Sequence, residues 1–306
     1  MKVGVIDTGT NSTRLLVAEA GEEHVHELER LTTVTRLGDG VDAGGRLRPQ
    51  ARRRVHACVG RYASIIQELG VLRVLLIATS SVREASDGEE FLTSLADSYG
   101  FESRVLSGEE EARLSFAGAA LGIGPDERVT LFDIGGGSTE MVSGRDGNVE
   151  FALSLKLGCV RLTERFLKSD PVESAELQAA SAYIGDMLER EINLGLLIKP
   201  DRTIAVAGTA TALAAMDLGL QGYDRKLVHG HVIRYERIAE LLSQLAAMTV
   251  AQKLDIPTME TGRADVVVAG ALILEHLMRY TGAGDVFISE LDILDGTALF
   301  MGRRLI

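Results

Sequence analysis

An α/β fold of two similar sheet domains is what the sequence predicts, and three features predict it. The segment VIDTGTNSTRLL near the start returns as LFDIGGGSTEMV, with Asp7, Gly9, Ser12 and Thr13 matching Asp133, Gly135, Ser138 and Thr139 at one constant offset of 126 residues. Strand-like apolar runs alternate with amphipathic helical runs over the first half, and the pattern then restarts. With 306 residues, 46% of them hydrophobic and 25% charged, the chain is long enough for two domains that each bury a core.

Each copy of the repeat reads as an apolar strand, a glycine-rich turn headed by an aspartate, and a second strand. After the first hairpin the spacing predicts a helix from Pro49 to Leu69, with proline suited to its first turn. A strand in VLRVLLIAT, a helix near Glu89 to Tyr99 and a strand through Arg104 and Val105 follow. The restart comprises a helix from Glu109 to Leu121, the second hairpin from Val129 and a strand near Phe151. Long helices are expected through Ala175 to Leu194 and Tyr235 to Met248, with strands in TIAVAG and DVFISE. A short terminal helix from Gly296 is expected to cross back onto the first half. The one boundary signal is LGIGPDE, Gly122 to Glu127, which gives domains of 1–121 plus 297–306 and 122–296.

Composition excludes several classes. A net charge of −12 disfavours nucleic acid as a partner. The apolar run VVVAGALIL from Val266 is too short to span a bilayer. The N-terminus enters a strand without a charged region and apolar core of the secretory kind, so a cytoplasmic protein is expected. Cys58 and Cys159 lack metal-ligand spacing, and the six histidines form no HxxxH array. Neither a GxSxG elbow nor a GxxxxGK[ST] loop is present. The densest basic run, Arg46, Arg48, Arg52, Arg53 and Arg54, reads either as a solvated helix face or as a rim guiding a polyanion.

The repeated turn carries the chemistry. Such a turn aims backbone N–H groups and a hydroxyl at an anion, while its carboxylate suits the divalent cation that neutralises the anion. A tight hairpin alone also uses glycine, aspartate and serine. The same Asp-x-Gly-x-x-Ser-Thr order occurring twice favours phosphate. AVAGTATALAA, with Gly208 and Thr209, adds a strand, a turn and a helix N-terminus able to receive an anion. In VLSGEEEARLSF, Ser107 and Glu110 form a capping-box pattern and Glu109 suits the helix dipole, whereas Glu111 has neither role. A carboxylate there suits a base for a water attacking a terminal phosphate. In ATSSVREASDGEEF, Thr79, Ser80 and Ser81 supply hydroxyls and Arg83 a fork for phosphate oxygens. Arg14 and Arg263 are further candidates for substrate, or for pairing with a carboxylate.

Two such domains resemble the actin-like ATPase (ribonuclease H-like) architecture, with an active-site cleft between the domains. The ordered segments IDTGTNS, ATSSVREA, SGEEEARLSF, FDIGGGSTE, SLKLGCVRLTERF, AVAGTATALAA, GRADVVVAGALIL and SELDILDG resemble the exopolyphosphatase and guanosine pentaphosphate phosphatase family in its short, two-domain form. The resemblance implies Mg²⁺-dependent hydrolysis of a terminal phosphoanhydride, with Glu111 as general base and Arg83 and Glu140 as its catalytic companions. It implies Asp7, Asp133 and Glu140 at the metal. Gly9, Asn11, Ser12, Thr13, Arg14, Gly135, Gly136, Gly137, Ser138, Gly208, Thr209 and Arg263 are then expected at the substrate. Inorganic polyphosphate, with short chains preferred, is the expected substrate. Hydrolysis of pppGpp to ppGpp is the close alternative, and an ATP-dependent kinase or a non-catalytic polyphosphate or ppGpp sensor stands further off. Inhibition by ppGpp and a homodimer remain open. Asp87 stands where the family commonly has asparagine, which leaves that position's role as a phosphate donor open.

Overall fold

The structure is a computed structural model that describes residues 1–124, 126–193 and 199–306. Pro125 of the expected boundary and Leu194 at the end of an expected helix lie outside them. The chain divides into one unit of Met1–Leu121 with Leu291–Ile306 and a second of Gly122–Glu290.

The first unit holds β1 (Lys2–Thr8), β2 (Ser12–Ala20), β3 (Val25–Val34), α1 (Val41–Gly44), α2 (Pro49–Glu68), β4 (Arg73–Ala78), α3 (Ser80–Glu84), α4 (Gly88–Asp97), β5 (Glu102–Val105) and α5 (Gly108–Ala119). The second holds β6 (Arg128–Ile134), β7 (Thr139–Arg145), β8 (Asn148–Leu155), α6 (Cys159–Phe166), α7 (Ser174–Glu191), β9 (Arg202–Val206), α8 (Ala207–Asp217), α9 (Arg225–Val228), β10 (Val232–Arg234), α10 (Tyr235–Ala247), α11 (Val250–Leu254), α12 (Val267–Thr281) and β11 (Asp285–Ile288). The last helix, α13 (Ile293–Gly302), belongs to the first unit.

Each unit has one mixed sheet. The first runs β3-β2-β1-β4-β5 and the second β10-β11-β9-β6-β7-β8. In both, an antiparallel three-strand meander continues into parallel strands, β1 beside β4 and β6 beside β9. This is the actin-like α/β architecture, present twice. The duplication reaches detail: the first sheet shifts register between Val17 and Ala18, the second between Ser143 and Gly144, again 126 residues apart. A bulge in the same place re-aims both hairpins alike.

Burial explains the elements. Helix α2 opens with Pro49 in its first turn and buries Ala51, Val55, Cys58, Val59, Tyr62 and Ile66, one stripe at helical spacing. Helix α12 is buried almost all round, as its apolar sequence requires of a core helix. Both cysteines are buried and free. Elements β3, α1, α3, α6, α9, β10 and α11 have no clear periodic signal in the sequence. Strand β3 is a charged edge strand, which hides its alternation, and the other six are short.

The C-terminal return joins the first unit from Leu291, earlier than the 297 expected, because close backbone packing holds it there. A Cβ on Gly118 of α5 would stand 1.8 Å from the Asp292 carbonyl oxygen, and one on Gly296 of α13 would stand 1.8 Å from that of Leu114. Only glycine allows helices to approach this closely. Among the described residues no helix is long and apolar enough to cross a membrane.

Candidate functional site

The two glycine turns share one geometry. Gly9 N–H donates to the Ser12 carbonyl at 2.9 Å, and Gly135 N–H to that of Ser138 at 3.0 Å. A Cβ on either glycine would sit 3.1 Å from that same carbonyl oxygen, which leaves little room for a side chain.

In the first unit, the turn lies at the C-terminal ends of the parallel strands, where sheets of this kind collect functional groups. Thr8 Oγ1 donates to the Ile77 carbonyl at 3.0 Å, and the Thr10 and Ser80 hydroxyls meet at 3.1 Å, so the turn rests on β4 and α3. Four residues into α3, Arg83 Nη1 donates to the Leu106 carbonyl at 2.7 Å and to Glu111 Oε2 at 2.9 Å. Nε and Nη2 of Arg83 carry no hydrogen bond among the described residues. Glu111 is buried, at 7% exposure. Its neighbours are occupied otherwise: Glu110 closes the capping box with Ser107 and pairs with Arg104, and Glu109 pairs with Arg113 at 2.9 Å. The hydroxyl of Ser81 is buried without a hydrogen-bond partner among the described residues.

Asp7 ends β1. Its Oδ2 accepts from Arg14 Nη2 at 2.6 Å and Nε at 3.1 Å, while Nη1 of Arg14 reaches Asp292. Oδ1 of Asp7 is buried and has no partner among the described residues. Burial pushes the Asp7 carboxyl above its ordinary value, with Arg14 opposing. Thus Arg14, expected at the substrate, is engaged by two carboxylates. Thr13, also expected there, is fully buried, with its hydroxyl 2.8 Å from that of Thr35 and its carbonyl bonded to Tyr62. Asn11 holds the following loop through its carbonyl, which accepts from the N–H groups of Thr35 and Arg36.

In the second unit, Asp133 stands directly opposite Glu140 across β6 and β7, and both are buried. Glu140 Oε1 accepts from Ser154 Oγ at 2.7 Å. The matching pair in the first unit is Asp7 opposite Arg14. The repeat therefore places an aspartate beside an arginine in one unit and beside a second carboxylate in the other. Like charges directly opposite repel, and buried ones need a partner.

The second turn is tied to α6 by its carbonyls. Gly135 O accepts from Cys159 N–H at 3.0 Å, Gly136 O from Val160 and Arg161 N–H at 2.9 and 3.1 Å, and Gly137 O from Arg161 Nε at 2.9 Å. Gly158 must be glycine, since a Cβ would lie 2.3 Å from Gly136 O. With carbonyls bound on one side, the N–H groups of Gly136 and Gly137 have no partner among the described residues, and adjacent free N–H donors of this kind suit an anion. The sequence signal for this support was Gly158 and Arg161 within SLKLGCVRLTERF, which carries no recognisable phosphate motif by itself.

Beside Asp133, strand β9 ends at Val206 and passes into α8 through Ala207, which has φ 69°. A positive φ at a non-glycine residue marks strain of the kind that gathers at functional loops. Arg263 holds this loop: Nη1 donates to the Gly208 carbonyl at 2.9 Å and Nη2 pairs with Glu260 at 2.9 Å. Thr209 is buried against Gly270. Arg263 and Thr209 thus position the loop backbone.

The arginine run is largely engaged by its own unit. Asp87 Oδ1 accepts from Leu47 N–H at 3.0 Å, and Arg46 and Arg52 lie 3.6 and 3.5 Å from Oδ2. Burial raises the Asp87 carboxyl, but the Leu47 N–H and the two arginines prevail and hold it below its ordinary value. Arg54 donates to the carbonyls of Thr35 and Arg36, and Arg48 pairs with Asp39.

Among the described residues no group of three or more His, Cys, Asp or Glu side chains converges as a preformed metal site. Mg²⁺ asks for less, being held by one or two carboxylates with waters and substrate phosphates. Taken separately, the bare Oδ1 of Asp7 in the first unit and the opposed carboxylates Asp133 and Glu140 in the second are each of the kind that fits that demand.

Similarity to known proteins agrees with this geometry. The model of the Ppx/GppA phosphatase family matches residues 16–297. Exopolyphosphatase 2 of Mycobacterium tuberculosis is 36% identical, over 97% of this chain and 98% of that protein. A crystallised exopolyphosphatase-like protein is 32% identical with a TM-score of 0.92, covering 100% of both chains. The Aquifex aeolicus member of the Ppx/GppA family is 28% identical with a TM-score of 0.84, over 100% of this chain and 98% of that one. Matched over nearly its whole length in sequence and in fold, the chain belongs to the Ppx/GppA phosphatase family.

Proposed function

We propose that this chain is an exopolyphosphatase that hydrolyses the terminal phosphoanhydride of inorganic polyphosphate and releases orthophosphate. The observation that carries the reading is the pairing of Arg83 with Glu111. One guanidinium nitrogen holds a buried carboxylate that has no capping role, and the other two have no partner among the described residues. A phosphate oxygen suits that open edge.

In the proposed reaction, a water oxygen attacks the terminal phosphorus, Glu111 takes its proton, and the bond from that phosphorus to the bridging oxygen breaks. The bridging oxygen stays with the shortened chain. In the first unit Arg83 and the backbone N–H groups of the Gly9 turn suit phosphate oxygens, and in the second the Gly136 and Gly137 N–H groups are donors of the same kind, so catalysis is mainly positioning and charge stabilisation. Asp133 and Glu140 of the second unit are the carboxylates that would hold Mg²⁺, whose charge offsets that of the phosphates, and Asp7 of the first unit is a separate candidate ligand. Short chains are the preferred substrate in this reading, because the protein carries a net charge of −12, which repels a long polyanion beyond the catalytic residues. The names of the relatives support the activity class.

The test is orthophosphate release from tripolyphosphate, long polyphosphate, pppGpp and ATP, side by side with Mg²⁺ and with EDTA. Release from the polyphosphates that EDTA abolishes is the expected result. Release from pppGpp alone would make the chain a guanosine pentaphosphate phosphatase, and phosphoryl transfer from ATP to an added acceptor would make it a kinase.

A further inference from the structure

We propose that Asp292, brought by the C-terminal return of the chain, is a positioning residue that clamps Arg14 and thereby holds the Asp7 carboxylate with one oxygen bound and the other bare. The inference rests on the reading that Asp7 belongs to the site.

The clamp is built from the helix outward. Asp292 is the N-cap of α13: its Oδ1 accepts from Leu294 N–H at 2.9 Å, and its own N–H donates to Asp295 Oδ2 at 2.9 Å. With one oxygen fixed by the helix, the other is fixed on Arg14 Nη1. Arg30 locks the arrangement from β3, donating to Asp295 Oδ1 at 2.5 Å and to Glu27 at 2.7 Å and lying 3.9 Å from Asp292. The glycine contacts of α13 with α5 allow no slack, and α5 is the helix that carries Glu111. One rigid helix pair thus supports both the proposed base and the anchor of Arg14.

The consequence lies at Asp7. Arg14 is held at its far end, so its Nε and Nη2 both fall on Oδ2 and leave Oδ1 buried and unbonded among the described residues. A lone Asp–Arg pair would be free to close as a two-oxygen fork, covering both oxygens. The second hairpin has Glu140 at the position of Arg14, so it needs no such anchor. Support of this kind, one step behind a ligand carboxylate, commonly sets affinity as strongly as the ligand itself.

Asp292→Asn tests the clamp, since asparagine remains a competent N-cap while removing the charge that faces Arg14. Asp295→Asn is the control, removing a carboxylate from the same buried network that does not touch Arg14. The measurements are calorimetric titration of Mg²⁺ without substrate, kcat and KM for tripolyphosphate, and Tm. Asp292→Asn is expected to weaken Mg²⁺ binding and kcat by about tenfold with KM changed less than about threefold, whereas Asp295→Asn lowers Tm comparably and leaves Mg²⁺ binding near wild type. Equal effects of the two variants, or none from Asp292→Asn, would overturn the proposal. Should Asp292→Asn not fold, Arg14→Lys keeps the charge and loses the fork. Unchanged Mg²⁺ binding in it would equally refute the clamp. Asp7→Asn separates the two levels: wild-type Mg²⁺ binding there would remove Asp7 from the site, whatever Asp292 does.

Discussion

Changing Glu111 to glutamine removes the proposed base while keeping its shape. The amide side chain still offers an oxygen to Arg83 Nη1, which also keeps its 2.7 Å bond to the Leu106 carbonyl. An ion-paired hydrogen bond becomes one from a cation to a neutral amide oxygen, a loss of about 1 kcal/mol. Arg83 is 26% exposed, so solvent screening brings the effect on folding below that figure. Turnover should respond on a different scale. Loss of a positioned base costs roughly two to four powers of ten, or about 3–5 kcal/mol of barrier. Glu110→Gln is the matched comparison one residue away. Its side chain accepts from Ser107 N–H at 2.8 Å and reaches Arg104 at the surface, so its loss should cost some stability and little activity. The assay is orthophosphate release from tripolyphosphate, with Tm and calorimetric substrate binding on the same preparations. Slow turnover with retained binding in Glu111→Gln, and near-normal turnover in Glu110→Gln, is the expected pair of results. The reverse pair would refute the assignment of the base.

Three further outcomes follow from the geometry. Asp133→Asn removes one of two opposed carboxylates and should shift the Mg²⁺ titration of activity to about tenfold higher concentration; an unchanged titration would remove Asp133 from the metal. Ala207→Gly should raise stability by about 0.5–1 kcal/mol in denaturant unfolding, because the strain of φ 69° exceeds the entropy cost of glycine, and a loss would show that Ala207 is unstrained. Glu275 predicts a pH dependence: burial raises its carboxyl, but contacts with His276, Tyr235 and Arg279 prevail and hold it below the ordinary 4.5. A depressed carboxyl stabilises the fold above its unfolded value, and that contribution fades as pH falls through the folded one. Denaturant unfolding should therefore weaken with acid below about pH 4.5, and Glu275→Gln should flatten that limb.

The repeat was legible because it is local. A strand, a turn and a strand at a fixed offset announce two hairpins, and the structure repeats even the turn bond and the bulge. The contrast between Glu110 and Glu111 was legible for the same reason, since a capping box spans four residues. What could not be read is what folding brings together across distance. Arg83 and Glu111 each carry a signal of their own, and nothing in their spacing of 28 residues reveals the 2.9 Å ion pair. Arg14 and Asp292 lie near opposite ends of the chain, so the residue type of Arg14 suggested phosphate while its tertiary partners are carboxylates. Asp87 shows the opposite case: a departure from the family pattern turns out to anchor Leu47 and two arginines of the basic run.

Hydrolysis of tripolyphosphate in ¹⁸O-labelled water tests the central claim most directly, because it reports which phosphorus the water attacks. Attack on the terminal phosphorus, with Glu111 as base, places one labelled oxygen in each released orthophosphate and none in the pyrophosphate left behind. Label in the pyrophosphate, or no orthophosphate released without an added phosphoryl acceptor, would contradict the account.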